Sequence, residues 1–174
     1  MGVPELRTAR LKLRAHTLSD FEALAKLWVE PSVYRFTVGA PSSRTDAWAR
    51  LLRYRGHWAV MGFGFWAIEE LATGTYVGDI GIAEFQRDIV PRIEGTPEAG
   101  WALGSAGSGK GYATEALQGA LRWVDGNLSA NTLCCIIDPA NAASVRVAEK
   151  CGFRPVRPGV THGTTVTIYE RTRI

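Results

Sequence analysis

Glycines and a lysine are concentrated in one short stretch of the sequence, directly after an apolar run. Gly104, Gly107, Gly109 and Gly111 surround Lys110, and residues with helical spacing follow. Glycine lets the backbone turn sharply with its amides exposed. A helix that begins at the end of such a turn adds unpaired N–H groups and the positive end of its dipole. The pattern therefore predicts a strand, a tight turn and a helix, with the turn binding an anion such as phosphate.

Two common phosphate-binding motifs do not fit this turn. The stretch matches a P-loop as far as Lys110, but Gly111 stands where a Ser or Thr would hold magnesium. A Rossmann fingerprint needs a glycine three residues after Gly109, and Tyr112 takes that place. The sequence thus favours a glycine turn that works without a metal hydroxyl, and it disfavours a nucleotide-hydrolysing P-loop protein.

Length and composition limit the classes of protein to consider. A chain of 174 residues suits one domain, residues 1–174, with a substantial core. The net charge of +3 is mild, and no run of Lys and Arg alternates with aromatic residues, so no nucleic-acid partner is expected. The sequence shows neither a leader segment nor an apolar run of membrane-spanning length, which predicts a soluble, cytoplasmic protein with no membrane partner.

The cysteines and histidines lack the spacing of metal ligands. Cys134, Cys135 and Cys151 form no Cys-x-x-Cys pair, and the histidines are isolated from one another in the chain. Reduced thiols that fill the core are therefore expected, with no disulfide framework and no metal site.

Hydrophobic periodicity predicts the elements that must position the glycine turn. Their order along the chain is β, α, α, β, β, β, α, β, α, β, β. This order indicates an α/β (α+β) fold with helices on the faces of a mixed, mostly antiparallel central sheet, which would have about six to seven strands and about four helices.

Two regions of this pattern give specific expectations. A helix over Thr45–His57 is expected to bury Trp48, Leu51 and Leu52. Near the end of the chain, strands are expected over Phe153–Val156 and Thr164–Tyr169. The segment between them, Arg157–Gly163, contains a proline and two glycines and is expected to be a loop.

Two blocks of the sequence resemble the motifs of a known superfamily. The block Gly109–Ala116 is similar to the core pyrophosphate-binding motif of the GNAT superfamily of acetyl-CoA-dependent N-acyltransferases, and Asn141–Phe153 is similar to the family's next motif. Their order and separation agree with the family. With Leu11–Arg14 and Asp20, the resemblance covers nearly the whole chain and is closest to the branch that acetylates ribosomal-protein N-termini.

The resemblance implies a GNAT fold and acetyl-CoA as the donor, without a metal. It implies that the central strand splays from its neighbour at a bulge, where the acetyl-pantetheine arm bonds to the backbone of Trp101, Ala102 and Leu103. It also implies that the glycine turn and the following helix bind the phosphates, through Ser108, Gly109, Lys110, Gly111, Tyr112, Ala113 and Thr114. Ser108 departs from the family, in which Arg, Gln or Trp is frequent at this position, and so weakens one side-chain contact.

Glu98 stands at the start of the central strand, where the family often carries a glutamate that accepts the proton of the amine. A solvated carboxylate at a strand edge is the alternative interpretation of this residue. Lesser candidates for the base are Asp79, Glu84 and Glu94.

The second motif supplies the other candidate site residues. Asn141 is expected to cap a helix and, by resemblance, to bind the pantetheine or a nearby backbone group. Many relatives carry a tyrosine later in this helix as the acid for the thiolate, but this chain has Ala148. Ser144 or water is then left as the acid.

These observations predict an acetyl-CoA-dependent N-acetyltransferase that moves an acetyl group directly to a primary amine in a ternary complex. The acceptor is a protein or peptide N-terminal α-amine or a small-molecule amine, and the protein is a monomer or a homodimer. The alternative is a non-catalytic acyl-CoA-binding or regulatory module. Acceptor residues are expected on Pro31–Arg44, Gln86–Pro97 and Arg157–Gly163, where a ring of Asp and Glu would indicate a cationic small molecule and an open groove a peptide.

Overall fold

The computed structural model describes residues 2–93 and 95–173, and its strands form one nine-stranded sheet. The strands are β1 (Leu6–Arg7), β2 (Leu11–Arg14), β3 (Phe65–Glu70), β4 (Tyr76–Ala83), β5 (Ile89–Val90), β6 (Glu98–Leu103), β7 (Thr132–Ile137), β8 (Arg154–Thr161) and β9 (Thr164–Thr172). The helices are α1 (Phe21–Leu27), α2 (Pro31–Tyr34), α3 (Arg44–Met61), α4 (Tyr112–Asn127) and α5 (Ala142–Lys150), with a 3₁₀ turn over Leu18–Asp20 before α1.

The predicted class of fold is confirmed. In the sheet order β1-β2-β3-β4-β6-β7-β9-β8-β5, all neighbours are antiparallel except β6 and β7, which are parallel. The sheet has more strands, and the chain more helices, than the sequence predicts. The extra elements are short: β1 and β5 have two residues each and α2 has four. Segments of that length carry too few residues to show a period.

The central strands β6 and β7 separate soon after they begin. Among the described residues they share register at one pair, Glu98 with Cys134. On the other side, β6 pairs with β4 without interruption from Glu98 to Leu103. The predicted splay is therefore present. The bulge is not found in β6: the register shift nearest to it lies between β3 and β4, at Ile68 and Glu69.

The two faces of the sheet have separate hydrophobic clusters. One cluster lies under α4 and α5 and includes Trp66 and Leu117, whereas the other lies under α1 to α3 and includes Leu51 and Phe65. Phe65 and Trp66 are consecutive in β3 and belong to different clusters, as the alternation of side chains along a strand requires. The helices that follow the glycine turn and those that precede β3 thus cover opposite faces.

The prediction for the second helix is right about the helix and partly wrong about its buried face. Leu51 is buried, but Trp48 and Leu52 are 41% and 48% exposed. The buried stripe of α3 runs through Ala47, Leu51, Tyr54 and Trp58. These positions recur at the spacing of 3.6 residues per turn, whereas Trp48 and Leu52 each follow a buried residue and are rotated away by about 100°.

The predicted loop over Arg157–Gly163 is wrong. Strand β8 continues to Thr161, and only His162 and Gly163 lie between β8 and β9. Both residues have positive φ, 47° and 75°, which is the conformation of a type I′ hairpin turn. Prolines are tolerated in β8 because its outer neighbour β5 pairs with only Val160 and Thr161.

Candidate active site

A cavity of about 620 Å³ opens where β6 and β7 separate. Its lining includes Glu98 through Ala102 from β6 and Cys135 through Ile137 from β7. Trp101 packs against the cluster under α4, and Ala102 belongs to the cluster under α1 to α3. Because the lining comes from both faces, the cavity connects them through the gap between the two strands.

Glu98 faces this cavity and is held by one arginine. Its two carboxylate oxygens accept hydrogen bonds from Arg87 Nε at 2.7 Å and from Arg87 Nη2 at 2.8 Å. Glu98 is only 5% exposed, so the alternative interpretation of a solvated carboxylate at a strand edge is wrong. Burial raises the pKa of Glu98, and the ion pair with Arg87 opposes that shift.

Asn141 and Ser144 also line the cavity, from the N-terminus of α5. The Asn141 side-chain oxygen accepts a hydrogen bond from the Ser144 N–H at 3.1 Å, which confirms the predicted cap. Ala148 is fully buried one turn later. The cap holds the first turn of α5 beside the gap in the sheet, so the Ser144 hydroxyl lies near the cavity wall.

The glycine turn leads directly into α4, as predicted. Gly109 and Gly111 have φ of 75° and 79°, a region that side chains rarely adopt. In the part of the chain that the structure describes, the N–H groups of Gly109, Lys110 and Gly111 donate to no protein acceptor. The N–H groups at the start of α4, including those of Ala113 and Thr114, also lack partners within the helix. The turn thus presents a run of free donors for an anion.

The charged side chains around the turn are bound to one another. Lys110 Nζ lies 3.2 Å from Glu70 Oε1, and the Tyr112 hydroxyl donates to the same oxygen. The Thr73 hydroxyl donates to the other oxygen of Glu70 at 2.7 Å. These three hydrogen bonds, led by that of Tyr112, lower the pKa of Glu70 to about 2. On the other side, Arg10 pairs with Glu115 at 2.7 Å and donates to the Lys110 carbonyl at 2.9 Å. The positive charge of Lys110 at the mouth of the turn is therefore already balanced.

The structure places two of the lesser candidates for the base, Asp79 and Glu84, outside the cavity lining. Asp79 is fully buried and accepts hydrogen bonds from the Trp28 indole at 3.1 Å and from the Tyr76 hydroxyl, and it pairs with His16 at 2.7 Å. Glu84 accepts a hydrogen bond from the Gln86 N–H and does not line the cavity. Glu94 lies outside the described residues.

Four arginines line the cavity, and the sequence analysis did not single them out. Arg35 follows α2, Arg50 and Arg53 lie on α3, and Arg87 follows β4. Each of the three segments expected to hold acceptor residues contributes to the lining, and α3 is an additional contributor. The spacing of Arg50, Arg53 and Tyr54 places them on one side of α3, which was a usable signal.

A sequence model of the acetyltransferase (GNAT) domain matches residues 10–154 of this chain. The chain belongs to the GNAT acetyltransferase family. It is 28% identical to the uncharacterized protein YkkB of Bacillus subtilis (strain 168) over 171 residues, which cover 96% of this chain and 95% of that protein. The acetyltransferase of Agrobacterium tumefaciens strain C58 superposes with a TM-score of 0.80, at 29% identity and with 98% and 95% of the two chains covered.

More distant GNAT structures share the fold as well. RimL, a ribosomal L7/L12 alpha-N-protein acetyltransferase solved in complex with coenzyme A, superposes with a TM-score of 0.78. The two chains are 16% identical, and the match covers 97% of this chain and 98% of RimL. At this identity the likeness shows the shared fold alone.

Across residues 2–93 and 95–173, no group of three or more His, Cys, Asp or Glu side chains is arranged to hold a metal ion. The cysteines are free and buried, and burial raises the pKa of Cys134 to about 12. No helix in these ranges combines the length and hydropathy needed to cross a bilayer.

Proposed function

We propose that this GNAT acetyltransferase moves an acetyl group from acetyl-CoA directly to a primary amine within a ternary complex. The observation that carries the proposal is the cavity between β6 and β7, where a buried glutamate and the capped start of α5 face the same space. The chain forms one sheet, which supports a single catalytic domain.

The donor fits the free backbone groups of this chain. Acetyl-CoA supplies an acetyl group that is already activated as a thioester. Its pyrophosphate suits the run of unpaired N–H groups that begins in the glycine turn and continues into the first turn of α4. This run includes the N–H groups of Gly109, Lys110 and Gly111, and Ser108 and Thr114 lie at its ends. Among the residues that the structure describes, β6 has no β7 partner beyond Glu98, so the backbone at Trp101, Ala102 and Leu103 can bond the pantetheine arm.

Glu98 is the group that we assign as the base. Burial raises the pKa of Glu98, and the ion pair with Arg87 opposes that shift. A carboxylate of raised pKa is a stronger base toward the proton of an amine. In the proposed transfer Glu98 accepts the proton that leaves the amine, directly or through water. As the N–C bond forms and the C–S bond breaks, the departing thiolate takes a proton from Ser144 or water.

The first test is thermal unfolding with acetyl-CoA, free CoA or Mg-ATP. A ligand that binds only the folded state raises the midpoint by mass action. Both CoA species are expected to raise it, and Mg-ATP is not. The absence of a CoA shift would contradict the proposal.

The second test uses a panel of peptide N-termini and small primary amines, with acetylated product detected by mass spectrometry. Glu98→Gln is expected to lower kcat/KM by about 10²- to 10⁴-fold and to remove the acidic limb of its pH profile. Glu149→Gln, an exposed carboxylate on α5, is the control and should leave both unchanged. CoA binding without product from any amine would favour the non-catalytic acyl-CoA-binding module instead.

A further inference from the structure

The cavity carries more positive than negative charge. Its lining includes Arg35, Arg50, Arg53 and Arg87, against Glu98 and Asp138. The bidentate pair between Arg87 and Glu98 cancels one charge of each sign. The Asp138 carboxylate accepts a hydrogen bond from the Ala140 N–H at 2.8 Å in its own loop. Among the described residues, Arg35, Arg50 and Arg53 are then left without a carboxylate partner, and the lining keeps a net positive charge even with Asp138 counted.

Two of these three arginines contact aromatic rings instead of acids. Among the described residues, Arg35, Arg50 and Arg53 form no salt bridge. The Arg50 guanidinium lies 3.4 Å from the centroid of the Trp28 ring, and that of Arg35 lies 5.5 Å from the centroid of the Phe36 ring. Stacking of this kind orients a guanidinium and leaves its N–H edge available.

Two further observations indicate that the charge is uncompensated. The Nε atom of Arg50 is buried and has no hydrogen-bond partner in the described structure. The pKa of Arg53 is below its ordinary value because of partial desolvation and because Arg50 and Arg87 repel its charge. An arrangement of like charges costs free energy in the empty protein, and a bound anion would recover it.

The Trp28 indole that contacts Arg50 is held in place by a buried hydrogen bond. Trp28 donates its indole N–H to the buried Asp79 carboxylate at 3.1 Å, and that carboxylate also accepts from Tyr76. Trp28 could rotate only by breaking this buried hydrogen bond. The position of the Arg50 guanidinium is therefore set before any ligand binds.

The arginines are separate from the glycine turn that suits the phosphates of CoA. None of residues 104–127 is part of the cavity lining. Arg50 and Arg53 lie on α3, which packs against α1 and β3, whereas the glycine turn leads into α4, which packs against α5, β2 and β4. The two groups of anion-binding residues belong to opposite faces of the sheet.

We propose that the acceptor amine carries an anionic group, a carboxylate or a phosphate, that Arg50 and Arg53 bind with Arg35 at the rim. This inference rests on the proposed acetyl transfer, because it assigns the amine-binding side of the same cavity. Arginine binds carboxylates and phosphates through two parallel N–H bonds, which orients the ligand as well as holding it. The rings of Phe36, Phe65 and Phe85 line the same space and suit an apolar portion of the acceptor. Polycationic amines are disfavoured by the same charges.

The test compares matched amines that differ in charge alone. Each free L-amino acid is compared with its own C-terminal amide, and phosphoethanolamine with ethanolamine, with spermidine as the cationic probe. Binding to the CoA-loaded protein is measured by calorimetry, so that the readout does not need catalysis. The acid of at least one pair is expected to bind about 10- to 100-fold more tightly than its neutral partner. Tighter binding of an amino acid than of its amide would indicate a carboxylate, and tighter binding of phosphoethanolamine than of ethanolamine would indicate a phosphate.

Variants of α3 assign the preference to the arginines. Arg53→Gln and Arg50→Gln should each remove most of the preference for the acid. Neither is expected to lower the unfolding midpoint, because each removes an uncompensated charge. Arg55→Gln, an exposed arginine on the same helix outside the cavity lining, is the control and should retain the preference. Arg53→Glu should shift binding toward spermidine.

Several results would overturn the inference. Equal binding of the acids and their amides would do so, as would tighter binding of spermidine or a preference that survives both glutamine variants. The absence of binding by every probe would also count against it. A preference for acids without any acetylated product would leave the recognition standing and contradict the proposed transfer, so the two failures are distinguishable.

Discussion

The glycine turn and the arginine-lined end of the cavity both suit negative charge, but they do so by different means. The turn offers backbone N–H groups, and its side-chain charges are already paired: Lys110 with Glu70 and Arg10 with Glu115. The cavity offers guanidinium groups, and within the described chain those of Arg50 and Arg53 have no paired carboxylate. The turn is thus suited to bind an anion by the arrangement of its backbone, and the cavity is suited to bind one by its charge.

The glycine turn and the cavity wall also differ in what stabilises them. The conformation of the turn depends on glycines at positive φ, which is a local requirement. The cavity wall depends on a buried ion pair between residues of different elements, Arg87 and Glu98. Perturbations of the two regions should therefore differ in size and in kind.

The largest effect is expected when Arg87 is replaced. Arg87→Gln leaves Glu98 buried without its cation, which should lower the free energy of unfolding by about 3 kcal/mol at neutral pH. The loss should shrink at acidic pH, where Glu98 becomes protonated. Urea unfolding at several pH values measures both.

Arg157→Gln is the matched control for this loss. Arg157 pairs with Glu170 at 3.1 Å, but the arginine is 41% exposed, so its removal should cost less than about 1 kcal/mol. Equal losses in the two variants would show that the buried pair of Arg87 and Glu98 stabilises the fold no more than an exposed ion pair does.

A smaller effect is expected in the turn. Gly111→Ala should lower the free energy of unfolding by about 1 kcal/mol because alanine disfavours the left-handed conformation. Crowding is not the cause, since a Cβ there would lie 3.6 Å from its nearest neighbour, Arg10 Nη2.

Gly56→Ala is the matched control for the turn, and its effect on the free energy of unfolding should have the opposite sign. Gly56 lies inside α3 with open space around its Cα, so alanine should stabilise the protein by about 0.5 to 1 kcal/mol. Chemical unfolding of both variants would test this. A stabilising Gly111→Ala would show that the turn does not require its positive φ.

The smallest effect is expected from Glu70. Glu70→Gln removes the partner of Lys110 and leaves the backbone donors in place, so CoA should bind about two- to fivefold more tightly. Glu69→Gln is the control, because Glu69 pairs with Lys12 and Arg14 rather than with the turn. Calorimetric titration with CoA measures both, and weaker binding by Glu70→Gln would contradict the charge balance described for the turn.

Glu70 should also affect how the free energy of unfolding depends on pH. Its folded-state pKa of about 2 lies below its ordinary value of 4.5. The ionised form is therefore stabilised by folding, so this contribution is present above pH 4.5 and is lost as the pH falls toward 2. Glu70→Gln should flatten the stability curve across this window, whereas a curve unchanged in shape would show that the bonds from Tyr112, Thr73 and Lys110 to the carboxylate contribute nothing.

Several elements could be predicted because their signals are local. Strand β7 over Thr132–Ile137 and the cap at Asn141 are found as predicted. The glycine turn and the start of α4 follow from consecutive residues. The loop predicted over Arg157–Gly163 was wrong because its proline and glycines suggested a turn, whereas pairing with β9 keeps most of it extended.

The sequence alone determined the family, the class of fold and the stretch that suits a phosphate, because each depends on residues close together in the chain. Only the tertiary structure decided that Glu98 is buried against Arg87 and that Lys110 is balanced by Glu70. It also decided that Arg35, Arg50 and Arg53 line one cavity with no carboxylate partner among the described residues. Such pairings depend on distances between segments far apart in sequence. Burial and charge balance arise only when the sheet brings those segments together. The local spacing of Arg50 and Arg53 could therefore place both on one side of α3, but it could not show that they lack carboxylate partners.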